Sequence, residues 1–205
     1  MDSIIFDLDG TLWDPIDTVK DAWNETILSY RPEEEELTRK DLEGIMGLQI
    51  EGIGEKLFSH LEKEEREKII NACFDAETEV IRKQGARLYP GLEETLQHLE
   101  KKYPLFIVSN CQDGYIEAFY EAHGLENYFN DYENPGRTGL PKGENIKLVM
   151  ERNGLKKPVY IGDTSGDEKA ARHAGIPFYY ASYGFGQAES FEKEIERITD
   201  LKEMV

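Results

Sequence analysis

Four short apolar runs stand out along the chain, and none of them alternates clearly between apolar and polar positions. They cover residues 3–6, 105–108, 159–161 and 176–180 and are rich in β-branched and aromatic side chains. Runs of this length and composition are typical of strands that are covered on both faces, as in a parallel sheet. Each run therefore predicts one strand of such a sheet.

Segments with helical periodicity separate the later runs. Leu92, Leu96 and Leu99 recur at helical spacing, and further helical segments are expected at 113–123, 144–152 and 168–174. Glycines that follow these segments are helix stop signals. Strands that alternate with helices predict an α/β protein whose core is a Rossmann-like parallel sheet with crossover helices.

The stretch between the first two runs breaks this alternation. It holds no comparable apolar run, is rich in charge, and places Trp23 and Ile27 on one helix face. We therefore expect a helical subdomain of residues 15–85, inserted into an α/β core domain that is made of residues 1–14 and 86–205. Charge runs in such a segment are usually solvated helix faces.

Composition narrows the possible partners. The 205 residues include 24 basic and 42 acidic side chains, for a formal net charge of −18. This balance argues against a nucleic-acid or anionic-membrane partner, because both need clustered Lys and Arg. No apolar run approaches the roughly 20 residues of a membrane helix. Cys73 and Cys111 lie far apart and in no metal-type spacing, which is typical of a reduced, cytoplasmic protein.

Aspartates follow two of the predicted strands. Asp7 and Asp9 come after the first run, and Asp163 and Asp167 come after the third. Ligands of open parallel sheets bind outside the carboxyl ends of the strands, so neighbouring strands would bring these acids together. One such aspartate alone is more often a turn or helix-capping residue. Four carboxylates would repel unless a cation held them, and hard oxygen ligands suit Mg²⁺.

Polar groups also follow the remaining strands. Ser109 and Asn110 close the second run, and Lys142 lies in a loop just before a helix. Taken singly, Ser109 could start a helical turn and Lys142 could be a surface lysine. Together with a magnesium site, these donors form a place for a phosphoryl group.

These segments together carry a family resemblance. Residues 7–12 (DLDGTL), 108–110 (VSN), Lys142 and 162–167 (GDTSGD) occur in order. The set resembles the four motifs of the haloacid dehalogenase superfamily of phosphohydrolases. The helical insert after the first motif resembles that family's cap domain, placed as in the phosphoglycolate phosphatase and β-phosphoglucomutase branch.

The resemblance implies a role for each site residue. Asp7 would be the nucleophile that forms an aspartyl-phosphate, and Asp9 would be the general acid and base. The Mg²⁺ ion would be held by Asp7, by the backbone carbonyl of Asp9 and by Asp163. Asp167 would orient these ligands or bind the ion through a water molecule. The implied phosphate-binding residues are Thr11, Ser109, Asn110 and Lys142.

The resemblance thus implies a Mg²⁺-dependent phosphatase of a small phosphate monoester, with phosphoglycolate as a model substrate. The loop 44–49 is expected to reach the leaving group, although it could equally be a plain connection between helices. It carries no Arg or Lys, which counts against a β-phosphoglucomutase-like mutase, although Arg39, Lys40 and Lys56 remain possible substitutes. A catalytically silent binding module is a third alternative, and the oligomeric state is not indicated.

Overall fold

The computed structural model of the protein describes residues 1–204, which form a six-stranded sheet, a two-stranded sheet and ten α-helices. The strands are β1 (Ser3–Phe6), β2 (Trp13–Asp14), β3 (Arg87–Leu88), β4 (Leu105–Val108), β5 (Phe129–Glu133), β6 (Pro158–Gly162), β7 (Phe178–Ala181) and β8 (Lys193–Ile195). The helices are α1 (Ile16–Tyr30), α2 (Arg39–Glu43), α3 (Ile50–Leu57), α4 (Lys63–Gln84), α5 (Leu92–Leu99), α6 (Tyr115–His123), α7 (Pro135–Thr138), α8 (Lys142–Asn153), α9 (Ser165–Ala174) and α10 (Leu201–Met204).

The large sheet has the strand order β5-β4-β1-β6-β7-β8, and every pairing in it is parallel. β1 therefore lies at the centre, between β4 and β6. Successive residues of β1 pack on opposite faces: Ile4 and Phe6 join one apolar cluster, and Ile5 joins the other. Burial on both faces explains why the strand sequences do not alternate. The predicted α/β parallel sheet is confirmed.

Two strands of the large sheet were not predicted from the sequence, and both are edge strands. In β5, the polar residues Asn130 and Asp131 separate the apolar side chains. β8 has the sequence Lys-Glu-Ile. An edge strand has only one neighbour and needs less apolar surface, so its sequence resembles a loop. The four predicted strands correspond to β1, β4, β6 and β7.

The helices α1 to α4 form a continuous insert between β2 and β3. These two short strands pair with each other, Trp13 opposite Leu88 and Asp14 opposite Arg87. The chain therefore leaves and re-enters the core at one place. The buried carboxylate of Asp14 binds both sides of this junction, because it accepts hydrogen bonds from Arg87 and, at 2.6 Å, from Nη2 of Arg39 on α2.

Across residues 1–204, none of the helices combines the length and the apolar composition that crossing a bilayer would require.

Candidate active site

The carboxyl ends of β1 and β6 meet at one point of the sheet. Phe6 is paired with Ile161, and the pairing continues where the amide of Asp7 donates to the carbonyl of Ile161 at 2.8 Å. This register brings three buried carboxylates together. Asp7, Asp163 and Asp167 each present an oxygen within 4.8 Å of the others. Of the four aspartates that were expected to converge, these three do so, and the carboxyl of Asp9 lies outside the cluster.

A single buried cation lies against this cluster. Nζ of Lys142, at the start of α8, is 3.0 Å from Oδ1 of Asp7 and 2.6 Å from Oδ1 of Asp167. Burial by itself lowers the pKa of Lys142, but the charges of Asp167 and Asp7 outweigh it and hold that pKa above its ordinary value. Lys142 is 4% exposed, so it is not the ordinary surface lysine that the sequence left possible.

Asp167 and Asp163 differ in the hydrogen bonds that their carboxylate oxygens accept. Oδ2 of Asp167 accepts from the amides of Asp163 and Thr164 and from the Thr164 hydroxyl, at 2.7–3.2 Å. Oδ1 of Asp163 is buried and has no hydrogen-bond partner within residues 1–204. Burial, followed by the charges of Asp167 and Asp7, raises the pKa of Asp163.

This donor set fits a divalent cation. Three buried carboxyl groups face one ammonium, so the cluster has more potential negative charge than Lys142 can balance. The unpartnered oxygen of Asp163 is a hard ligand, which suits Mg²⁺. Gly10 keeps the first-motif loop close, since a Cβ there would lie 2.2 Å from Oδ2 of Asp163.

Asp9 points away from the carboxylate cluster. Its Oδ1 accepts hydrogen bonds from Nε1 of Trp13 at 2.6 Å and from the hydroxyl of Tyr115 at 3.0 Å. Burial and the neighbouring charge of Asp7 raise the pKa of Asp9 to about 7, although both hydrogen bonds oppose the shift. A carboxyl with a pKa near neutrality is suited to give and take a proton.

The other predicted phosphate-binding residues have three different surroundings. Ser109 is 3% exposed and follows β4, whose Ile107 is paired with Phe6. Thr11 is fully buried, and its hydroxyl has no hydrogen-bond partner within the described chain. Asn110 reaches the insert, because its Nδ2 donates to the carbonyl of Gly47 at 2.9 Å.

A small cavity of about 40 Å³ lies between the core and the insert. Asp9 and Asn110 line it from the core, and Met46 and Gly47 line it from the loop 44–49. The loop therefore lines this cavity as well as connecting α2 and α3, and its contact with a leaving group stays a prediction. The cavity has room for only a few atoms in this closed arrangement.

Further polar or aromatic residues line this cavity that the sequence did not assign to the site, among them Trp23, Glu77, Gln112 and Tyr115. Glu77 on α4 accepts from Nε1 of Trp23 at 2.6 Å and from Nε2 of Gln112 at 2.9 Å. Burial raises the pKa of Glu77 to about 8. Gln112 lies two residues after the Ser109-Asn110 motif, and this short separation in sequence could have indicated that Gln112 belongs to the site.

The loop 44–49 has no basic residue, and the sequence left three basic residues of the insert as possible substitutes for one. Their side chains lie outside the cavity. Arg39 is paired with Asp14, Asp17 and Glu43. Lys56 donates to the carbonyl of Gly44, and Lys40 is exposed. None of these three side chains lines the cavity.

The parallel sheet and the buried carboxylate cluster define an α/β protein with a candidate active site at the carboxyl ends of its strands. The chain belongs to the haloacid dehalogenase-like hydrolase family, whose model matches residues 4–181. It is 28% identical over 138 residues to the phosphoglycolate phosphatase of Escherichia coli strain K12, a match covering 63% of this chain and 53% of that enzyme. The chain thus spans about half the length of that relative.

A second relative is matched over more of its length. The phosphoglycolate phosphatase of Vibrio parahaemolyticus is 27% identical over 200 residues, which are 91% of this chain and 86% of that enzyme. A solved haloacid dehalogenase-like hydrolase of Streptococcus pneumoniae superposes with a TM-score of 0.87 at 21% identity. That superposition covers 100% of this chain and 98% of the other, and it shows the shared fold.

Proposed function

We propose that this protein is a Mg²⁺-dependent phosphatase that hydrolyses a small phosphate monoester through an aspartyl-phosphate intermediate. One observation carries the proposal: the two aspartates of the first motif have separate surroundings. Asp7 lies in the carboxylate cluster beside Lys142, whereas Asp9 lines the cavity beneath the insert. A nucleophile on the phosphate side and an acid on the leaving-group side are what two-step phosphoryl transfer requires.

In the first step, a carboxylate oxygen of Asp7 attacks phosphorus, and the bond between phosphorus and the ester oxygen breaks. The proton of Asp9 passes to that oxygen, so the alcohol leaves as a neutral molecule. A pKa of about 7 lets Asp9 hold this proton near neutral pH. Hydrogen bonds from Trp13 and Tyr115 keep the carboxyl oriented.

In the second step, Asp9 takes a proton from a water molecule, whose oxygen attacks the phosphorus of the aspartyl-phosphate. The acyl phosphate P–O bond breaks, which restores the Asp7 carboxylate and releases inorganic phosphate. Lys142 balances the negative charge that gathers between Asp7 and the phosphoryl oxygens. Ser109, Asn110 and Thr11 are proposed as hydrogen-bond donors to these oxygens.

The site residues also define the proposed metal ligands. The Asp7 side chain, the Asp9 backbone carbonyl and Asp163 would hold the ion, and Asp167 would orient its neighbours. Mg²⁺ supplies positive charge that draws a phosphoryl group towards these acids and stabilises the charge of the transition state. Asp167 suits the supporting position, because its oxygens already accept from Lys142, Asp163 and Thr164.

The helical insert, residues 15–85, is proposed to act as the cap of this site. Its two ends meet at the β2–β3 pair, and its loop 44–49 lies over the cavity. Such an arrangement lets the insert open for substrate and close to exclude bulk water. The small volume of this cavity favours a compact leaving group, of about the size of glycolate.

The phosphatase accounts for the cavity better than a mutase does. A sugar-phosphate mutase must hold a second phosphate beneath its cap, which calls for cationic side chains. The charged residues that line the cavity in the described chain are Asp9 and Glu77, both acidic. A silent binding module is also disfavoured, since the nucleophile, the acid and the lysine are all present, and Asp7 and Lys142 are buried beside each other.

The test is release of inorganic phosphate from a panel of monoesters that includes phosphoglycolate, sugar phosphates and nucleotides. Each ester is measured with Mg²⁺, with a chelator, and with an Asp7→Asn variant. We expect release that requires the metal and falls below detection in Asp7→Asn. Asp21→Asn is the matched control, because Asp21 lies on an exposed face of α1. Metal-independent release, or full activity in Asp7→Asn, would refute the proposal.

A further inference from the structure

The cavity beneath the insert carries an acidic group that the proposed chemistry does not use. Glu77 lies on α4, is 7% exposed, and lines the cavity together with Asp9. It contacts neither the carboxylate cluster nor Lys142 through a hydrogen bond or an ion pair in residues 1–204. A buried acid on the leaving-group side therefore needs an explanation of its own.

Two donors from different parts of the molecule fix this carboxyl. Trp23 on α1 donates to Oε2, and Gln112, in the core loop after β4, donates to Oε1. Gln112 also donates to the hydroxyl of Thr78 at 2.9 Å. Glu77 is therefore held rigidly over the site when the insert is closed on the core. Each of its oxygens retains a lone pair that can accept a further hydrogen bond.

The other side chains that line the cavity provide no positive charge to offset its acidic groups. Apolar side chains form much of the wall, among them Ile45, Met46 and Phe74. No Lys, Arg or His side chain lines the cavity in the part of the chain that the structure describes. A carboxylate on the leaving group would enter a cavity that is lined by two acids, with no cation to pair with it.

We propose that Glu77 is a specificity-determining residue, which selects phosphate esters of short alcohols that carry a hydroxyl or ammonium donor and rejects esters whose leaving group carries a carboxylate. The inference rests on the proposed phosphatase function and narrows its substrate class. A hydroxyl or ammonium group can donate to the free lone pairs of Glu77, whereas a carboxylate offers only acceptors. Phosphoglycolate is then a poor substrate despite its suitable size.

The pKa of Glu77 is raised to about 8, so near neutral pH the free carboxyl keeps a proton, and a bound ammonium group would favour its ionised form. Burial is the largest cause of this shift, and the charge of Asp9 adds to it. A bound ammonium group would supply the missing positive charge, and a bound hydroxyl would supply a donor without adding charge.

The test uses four esters of nearly equal size: ethyl phosphate as the reference, 2-hydroxyethyl phosphate, phosphoethanolamine and phosphoglycolate. For the wild-type protein we expect kcat/KM to be at least about tenfold higher for the two donor-bearing esters than for phosphoglycolate. In Glu77→Gln, that ratio should fall by at least about tenfold, mainly through phosphoglycolate gaining and phosphoethanolamine losing. Glu79→Gln, on the exposed face of the same helix, should keep the wild-type ratio.

A wild-type preference for phosphoglycolate, or a ratio that Glu77→Gln leaves unchanged, would overturn the inference. Direct binding of the same esters to Asp7→Asn, with and without Glu77→Gln, separates this inference from the proposed function. If no ester is turned over, the phosphatase proposal fails. The binding preference of Asp7→Asn still decides the role of Glu77, because tighter binding of phosphoglycolate than of phosphoethanolamine refutes it.

Discussion

Nδ2 of Asn110 donates a hydrogen bond of 2.9 Å to the backbone carbonyl of Gly47, across the boundary between the core and the helical insert. Asn110 ends the strand β4 motif, and Gly47 lies in the loop 44–49. The amide nitrogen has two hydrogens, so it can hold the loop and still donate to a phosphoryl oxygen. In the proposed function, closure of the insert and binding of the phosphoryl group would therefore be linked through one side chain.

Replacement of Asn110 by Ala should loosen the loop 44–49. A single hydrogen bond contributes about 1 kcal/mol, which corresponds to a roughly fivefold change in an opening equilibrium. We expect amide hydrogen exchange in residues 44–49 to accelerate by about this factor, and KM for the best ester to rise. Exchange followed by mass spectrometry measures the first effect in the absence of substrate.

Asn127→Ala is the control for this experiment, because Asn127 is exposed and lies outside the site. It should leave both exchange and KM unchanged. If Asn110→Ala exchanges like the wild type in 44–49, the bond to Gly47 does not hold the insert closed.

The hydrogen bond between Tyr115 and Asp9 should tune the proton on Asp9. This bond opposes the rise in the pKa of Asp9, so Tyr115→Phe should raise that pKa further above 7. Because Asp9 must be protonated for the first step, the alkaline limb of the kcat/KM profile should move to higher pH. The pH profile with the best ester measures the shift.

Tyr132→Phe is the matched control for Tyr115→Phe. The hydroxyl of Tyr132 donates to Glu117, outside the cavity, so the profile of this variant should follow that of the wild type. An alkaline limb that moves to lower pH in Tyr115→Phe would contradict the prediction.

The sequence predicted the core of the site because its residues lie in short motifs at strand ends. Asp7, Asp163 and Lys142 each follow or precede an element that local patterning identifies, and sheet topology then brings them together. Glu77 has no such signal, since on α4 it is one acid among many. Only the packing of the insert on the core turns this acid, and not Glu79, towards the cavity.

Lys142 should be essential for the stability of the carboxylate cluster as well as for activity. Replacement by Met leaves Asp7 and Asp167 buried without their cation, and breaking a buried pair in this way typically costs about 3–5 kcal/mol. The carboxyls can relieve this by taking up protons, which becomes harder as pH rises. The loss in Tm of Lys142→Met should therefore be larger at pH 8 than at pH 5.

Thermal unfolding without metal at the two pH values measures this effect. Lys147→Met is the control, since Lys147 lies on the same helix but is 43% exposed and binds only Glu144 and His173. It should change Tm little at either pH. Added Mg²⁺ should restore part of the Tm lost by Lys142→Met, because it would replace positive charge in the cluster.

Glu77 should make the stability of the protein depend on pH. Its pKa is raised from 4.5 to about 8 by burial, so the folded state keeps a proton that the unfolded state releases over this interval. The stability associated with the neutral carboxyl is complete below pH 4.5 and is lost as pH rises through 8. The loss approaches about 1.4 kcal/mol per pH unit within that window.

Glu77→Gln does not titrate, so its stability relative to the wild type should increase steadily from pH 5 to pH 8. Chemical unfolding at intervals of one pH unit, with Glu79→Gln as the exposed control, measures the difference. A constant difference between wild type and Glu77→Gln across this range would show that Glu77 is already ionised in the folded protein.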